Sequence, residues 1–343
     1  MAAPAPPAAG DVGDMTSKDY YFDSYAHFGI HEEMLKDTVR TTSYRDAIVN
    51  NPHLFKGKIV LDVGCGTGVL SMFAAQAGAA HVIAVECSGI ALKAREIIAA
   101  NGFADTITVV QGKIEEIDLP DGFDHVDIII SEWMGYFLLY ESMLNSVLFA
   151  RDKWLSPGGL LFPDKAEMYV CGIEDLDYRR QKLDFWDSVY GFDMSCIKHL
   201  AIVEPLVDVV EPSSVWSDSA PLLSLDLNTC TVEDLAFTRT FTITAQRNDF
   251  CHALVAYFDT TFSACHTPVV LDTSPFSEYT HWKQTVFYLE DTFPVHKGET
   301  FTATMKAAPN GSNPRDFDID IDYTFASEKS DVAVARKQAF RLR

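Results

Sequence analysis

The chain is predicted to fold as a parallel α/β domain followed by an all-β domain. Three observations carry that prediction. Up to about residue 163, short apolar runs alternate with stretches of helical period, the pattern of strands buried on both faces with helices between them. Four of those runs deliver an acidic residue at or just past their carboxyl ends, the edge at which open α/β sheets bind ligands. Beyond Phe162-Pro163 the apolar pattern changes to period two, which indicates a β-sandwich or barrel.

Residues 1–17 are Ala/Pro/Gly-rich and are expected to form a disordered tail, because they carry too little apolar surface to offset the entropy of ordering. From Lys18 aromatic residues crowd a short polar segment that includes Tyr21, Phe22, Tyr25 and Phe28; packing against the next domain is one use for them. Ile30, Met34, Leu35 and Thr38 recur at helical spacing and predict one or two amphipathic helices. The run K-I-V-L-D-V (58 to 63) is the first strand, breaking into G-C-G-T-G (64 to 68) and then a helix. Glycines let the backbone approach a ligand and the helix N-terminus offers it unpaired N–H groups, although such a turn alone is a weak signal.

The second unit, H-V-I-A-V-E, sharpens it. Its Glu86 stands where an acidic side chain binds ribose hydroxyls, so a nucleoside cofactor is expected. Val69 occupies the place of the third small residue in the dinucleotide fingerprint, which leaves hydride transfer as the lesser alternative. A helix through Ala91 to Asn101 and the strand I-T-V-V-Q-G follow, with Glu115 just beyond, and then the buried strand F-D-H-V-D-I-I-I-S-E ends at Glu132. Asp62, Glu86, Glu115 and Glu132 thus stand at one edge of the predicted sheet.

The stretch Ser131 to Glu141, S-E-W-M-G-Y-F-L-L-Y-E, frames an apolar and aromatic run with two carboxylates. Such a pair faces a cation, a metal or its own partner, unless the loop is simply solvated. A helix is predicted to open at Glu141, whose ionised form the macrodipole would favour, and to stop at S-P-G-G.

In the second half, A-E-M-Y-V-C-G-I, F-T-R-T-F-T-I-T-A, C-H-A-L-V-A-Y-F, K-Q-T-V-F-Y-L, T-F-T-A-T-M and F-D-I-D-I-D-Y-T-F alternate as strands. A helical insertion from about 174 to 205 interrupts them and carries Tyr178, Leu183, Phe185, Trp186, Val189, Tyr190 and Phe192, too much aromatic surface for a solvated excursion.

A formal net charge of −22 disfavours a nucleic-acid binder, which needs basic surface, and favours basic partners. The seven cysteines are odd in number and lack C-x-x-C spacing, so neither a disulfide framework nor a zinc or other metal site is expected. The opening M-A-A-P-A-P-P-A-A-G is no signal peptide and no apolar run is long enough to span a bilayer. A soluble, intracellular protein without membrane contact is expected, cytoplasmic with the nucleus as a second location.

Four motifs coincide: Y-F-D-S-Y (21 to 25), V-L-D-V-G-C-G-T-G (60 to 68), the paired-glutamate loop (131 to 141) and Y-T-H-W (279 to 282). Together they resemble the protein arginine N-methyltransferases, and among them the predominant type I, asymmetrically dimethylating kind, over nearly the whole chain except the tail. The resemblance implies a Rossmann-like α/β methyltransferase domain over 18–163 and a β-barrel domain over 164–343 whose insertion is a dimerisation arm. It implies S-adenosyl-L-methionine as cofactor, with S-adenosyl-L-homocysteine as product, held by Phe22, Tyr25, His31, Met34, Arg40, Asp62, Gly64, Cys65, Gly66, Thr67, Glu86, Cys87, Lys113, Ile114, Glu115 and Met143. Substrate arginine would meet Tyr21, Tyr25, Glu132, Met134, Tyr136, Glu141, His281 and Trp282, with Glu132, Glu141 and a His281–Asp37 pair as the catalytic groups. A packed barrel histidine is the plainer alternative for His281.

The chemistry accounts for these residue types. Guanidinium is planar and permanently charged, so two carboxylates can hold it bidentately in one orientation. The partners implied are arginine-rich proteins of RGG type, RNA-binding proteins and histone tails among them, and a second copy or a related paralogous subunit in a dimer or larger assembly. Rival readings are a methyltransferase for small molecules or nucleic acid, and a non-catalytic subunit of a methyltransferase complex.

Overall fold

The computed structural model describes residues 27–343. The tail at 1–17 and the aromatic residues Tyr21, Phe22 and Tyr25 lie outside the described residues. Two helices come first, α1 (Phe28–Lys36) and α2 (Thr38–Val49), divided at Asp37, whose carboxylate accepts from Arg40 N at 2.9 Å and caps α2. Helix α2 buries Tyr44, Ala47 and Ile48 in the core, whereas Met34 and Leu35 of α1 line a cavity instead.

Strands β1 (Ile59–Val63), β2 (His81–Glu86), β3 (Ile107–Gln111), β4 (Val126–Ile130) and β5 (Leu155–Phe162) form a parallel sheet in the order β3-β2-β1-β4-β5. Helices α3 (Val69–Gln76), α4 (Ala91–Ala100) and α5 (Leu144–Trp154) connect it. The strand order runs outward from β1 on one side and from β4 on the other, so the crevice past their carboxyl ends is the topological switch point. Gly64 to Gly68 follow β1 and Ser131 to Glu141 follow β4. Topology alone therefore brings the glycine turn and the glutamate loop to one place.

One expectation is corrected here. Helix α5 begins at Leu144 with Met143 as its N-cap, so Glu141 precedes the helix, in the loop, with φ of 56°. The macrodipole does not reach it, because that effect is confined to the first turn. The S-P-G-G run does end the helix, yet it belongs to β5 rather than to a loop.

The second domain is a barrel of two antiparallel sheets. One contains β6 (Lys165–Ile173), β7 (Leu206–Asp208), β8 (Ala220–Asp226), β10 (Asp249–Phe262) and β12 (Gln284–Val295) in the order β7-β12-β10-β6-β8, with β11 (Val269–Asp272) on β10. The other has the order β15-β14-β13-β9, from β9 (Phe237–Thr244), β13 (Thr300–Pro309), β14 (Phe317–Ala326) and β15 (Ala333–Leu342). Gln338 of β15 joins them, accepting from Glu290 N at 3.0 Å and donating to Tyr288 O at 2.9 Å. Phe287, Phe293, Phe301, Tyr323 and Phe340 fill the interior as one continuous core with the first domain. At the junction Arg151 of α5 donates to the carbonyls of Leu227 and Cys230, each at 2.7 Å.

Between β6 and β7 the insertion is helical, as expected, but in short turns that end with α6 (Lys198–Val203). Leu183 and Ile202 anchor it to the barrel, Tyr178 stacks on Tyr288 at 4.4 Å, and Arg179 donates to the carbonyls of Leu289 and Glu290. Phe185, Tyr190, Phe192 and Leu200 remain exposed.

Candidate active site

The glutamate loop is a folded-back excursion from the end of β4. Gly135 N donates to Leu138 O at 3.0 Å and Tyr140 N to Tyr136 O at 2.9 Å. Phe137, Leu138 and Glu141 take left-handed φ values of 51°, 61° and 56°. Each such non-glycine residue costs roughly 1–3 kcal/mol, so the surroundings must over-determine the loop. They do so from three sides. Phe137 meets Phe287 of the barrel edge-on at 5.5 Å, and Trp282 Nε1 donates to Met134 O at 3.0 Å. Tyr44 of α2 donates from its hydroxyl to Ser131 O at 2.9 Å, while Ser131 Oγ donates to Val63 O of β1 at 2.8 Å.

Both glutamates line one cavity of about 520 Å³, ordinary for a small-molecule site. Glu132 Oε2 accepts from Arg40 Nε at 2.9 Å and lies 2.8 Å from Nη2, with both side chains nearly buried. Arg40 Nη1 also donates to Met34 O at 3.3 Å, which ties the pair to α1. Burial pushes the Glu141 carboxyl up, the Arg315 cation opposes that, and Asp316 reinforces it. Its environment, rather than a helix dipole, sets its charge.

The glycine turn forms the opposite wall. Gly64 has φ of 75°, and a Cβ there would stand 2.5 Å from Met143 Cε; at Gly66 it would stand 3.2 Å from the His31 ring. Glu86 accepts from Gly66 N at 2.9 Å and Ser88 N at 2.7 Å. A carboxylate has about four acceptor positions, so about two remain for a ligand's hydroxyls. Cys65, Thr67, Cys87, Lys113, Ile114 and Glu115 complete this wall, with Ser146 Oγ donating to Glu115 at 2.5 Å. Burial raises both the Cys65 and Cys87 thiols, which keeps them protonated and poor nucleophiles.

Asp62 differs from the other predicted residues. It lies beneath the cavity, fully buried, accepting from Ser71 Oγ at 2.6 Å, and burial raises it to about 7. Its carboxylate ties β1 to Ser71 of α3, and it is not among the residues that line the cavity.

His281 reaches the cavity from the barrel, its Nδ1 2.8 Å from Asp37 Oδ2, which also accepts the His281 backbone N–H at 2.8 Å. Burial alone would raise Asp37, but the hydrogen bonds from His281 and Arg40 outweigh it and hold the carboxyl below its ordinary value. An ionised Asp37 makes Nδ1 the ring's donor, leaving Nε2 to exchange a proton. Trp282 is buried behind Met134, which itself lines the cavity, and Tyr136 stands outside it, half in solvent. Sequence reasoning missed the barrel residues Leu235, Pro309, Asn313, Pro314, Arg315 and Phe317, which also line the cavity. Only the turn-forming P-N-G-S-N-P before β14 hinted at them.

Comparison with known proteins agrees with this layout. Residues 164–328 match the family described as the arginine methyltransferase oligomerization subdomain, and residues 60–159 a methyltransferase domain. Protein arginine N-methyltransferase 1 of Chlamydomonas reinhardtii is 56% identical over 342 residues, spanning 100% of this chain and 97% of the relative. Its namesake in Schizosaccharomyces pombe is 60% identical over 311 residues, 91% of each chain. Among solved structures, the Trypanosoma brucei PRMT1 enzyme-prozyme heterotetrameric complex with AdoHcy superimposes with a TM-score of 0.90 at 54% identity, covering 94% of this chain and 100% of that one.

Proposed function

The chain belongs to the protein arginine N-methyltransferases and is a type I enzyme that uses S-adenosylmethionine; from that premise we propose that Glu132 and Glu141 clamp the substrate guanidinium. The observation that carries the proposal is their placement on a single strained loop, facing one cavity at the switch point of the sheet. Arg40 engages Oε2 of Glu132 and so leaves Oε1 to the substrate.

The residues present fit the cofactor: glycines at 64 and 66 leave room that a Cβ would fill, and Glu86 keeps acceptor capacity at the end of β2. His31, Met34, Gly64, Gly66, Glu86, Glu115 and Met143 would hold it. When bound, S-adenosylmethionine supplies an electrophilic methyl group on a sulfonium. The chain's own task is then to position and polarise. Two carboxylates draw the guanidinium's positive charge toward the nitrogens they bind, which leaves electron density on the attacking nitrogen. His281, oriented by Asp37, takes the departing proton at Nε2.

Substrates are arginine-rich segments of RGG type and histone tails, drawn by the acidic surface. The protein oligomerises, and the exposed aromatic residues of the insertion form the contact, with a second copy or a related subunit. It works in the cytoplasm and in the nucleus, a reading supported by cysteine spacing that suits a reducing compartment.

Glu132→Gln and Glu141→Gln are each expected to lose nearly all turnover at saturating RGG peptide while keeping most cofactor affinity, since each removes one charge-assisted bond strengthened at the transition state. Turnover within a few-fold of wild type, followed by mass spectrometry of the peptide, removes the loop from the catalytic site.

A further inference from the structure

Glu132 has a fixed cation behind it, Arg40 of helix α2. We propose that Arg315, carried by the β13–β14 turn of the barrel, is a positioning residue that backs Glu141 as Arg40 backs Glu132. The inference rests on the clamp reading of the two glutamates.

Three observations place Arg315 there. It lines the same cavity as Glu141, and the Glu141 backbone N–H donates to its carbonyl at 3.3 Å, so the two residues are neighbours across the domain junction. The turn that presents it is pinned by side chains. Asn310 Oδ1 accepts from Ser312 N at 2.8 Å and from Asn313 N at 3.1 Å, and Asn313 Nδ2 donates to Asp316 Oδ1 at 2.8 Å. Asn310 Nδ2 donates to Asp318 Oδ2 at 2.8 Å, which ties the turn to the start of β14. The third observation is the charge around Glu141: Arg315 is the cation that opposes the effect of its burial, Asp316 acts the other way, and the phenols of Tyr136 and Tyr140 stand within its field.

Each carboxylate is then accompanied by an arginine from a different domain, Arg40 in direct contact with Glu132 and Arg315 adjoining Glu141 through its backbone and acting on it through its charge. Arg40 comes from the methyltransferase side and Arg315 from the barrel. Without Arg315, Glu141 would take up a proton at a higher pH and could no longer offer a charged acceptor to the substrate.

The test is the pH dependence of kcat/KM for an RGG peptide in Arg315→Gln and Arg315→Lys, with Glu141→Gln measured alongside. In Arg315→Gln the acid limb is expected to move to higher pH, with the loss deepest at low pH and recovering as pH rises. Arg315→Lys should keep the limb near its wild-type position, and calorimetry with S-adenosylmethionine checks that each variant is folded. An unshifted limb, or an equal loss at every pH, would show that Arg315 only anchors the turn and would overturn the proposal. If Glu141→Gln retains turnover, the clamp itself falls and the backing role with it. If Glu141→Gln is inactive and the Arg315→Gln limb stays put, only the backing role falls.

Discussion

At Gly135 a side chain has no room, because a Cβ would stand 1.7 Å from the carbonyl oxygen of Tyr140, a backbone atom that cannot swing away. Gly135→Ala should therefore open the glutamate loop while leaving all three sheets intact, and misplacement of the clamp by about 1 Å predicts a roughly 100-fold fall in kcat. Near-normal turnover in a folded Gly135→Ala protein would mean that the loop does not set the clamp. A second residue reports on stability. Asp259 of β10 stands opposite Asp272 of β11 and Glu167 of β6, and burial first, then Asp272, raises it to about 7. Because the folded-state value exceeds the unfolded one, the stability contributed by its protonated form is complete below about pH 4 and is lost as pH rises through about 7. Asp259→Asn imitates the protonated form. Its Tm should match wild type near pH 4 and exceed it above about pH 7; a gap that is constant with pH would assign the effect to packing rather than charge.

Among the elements, the insertion between β6 and β7 combines a fixed base with an apolar outer face. Leu183 and Ile202 are buried under it, while Tyr190 is 98% and Phe192 68% exposed, a surface that calls for a partner. Deleting residues 178–200 should give a monomer by light scattering with turnover largely lost; a folded, fully active monomer would separate assembly from catalysis. The element also shows what could be read in advance. Its aromatic content was legible, and its division into short turns was not, since those follow from docking on Tyr288 and on the Leu289 and Glu290 carbonyls. Strands with strict alternation, such as β14 with F-D-I-D-I-D, announced themselves; β5 contains Pro157 and two glycines and reads as a stop, and β15 hides behind charged outward residues. Glu132 was legible because it ends a buried strand. The left-handed backbone at Glu141 and the approach of Arg315 were not, because both depend on the barrel closing over the loop.

For the molecule as a whole, 49 acidic residues against 27 basic ones give a strongly negative net charge. Arginine-rich substrates should be steered toward it, and at physiological salt the Debye length of about 8 Å screens much of that attraction. KM for an RGG peptide is therefore expected to rise steadily with ionic strength while kcat changes little. A KM that is flat across a salt series would confine recognition to the clamp. The cavity also belongs to the whole molecule, since its walls come from α1, the glycine turn, the glutamate loop and the β13–β14 turn.

The edge-on contact between Phe137 and Phe287 continues to Phe340 of β15, at 5.2 Å. This short aromatic relay makes the glutamate loop a gauge of barrel packing. The rings of β12 and β15 stand behind the left-handed backbone at Phe137, so a cavity cut at Phe340 is felt two rings away, at the loop that carries both glutamates.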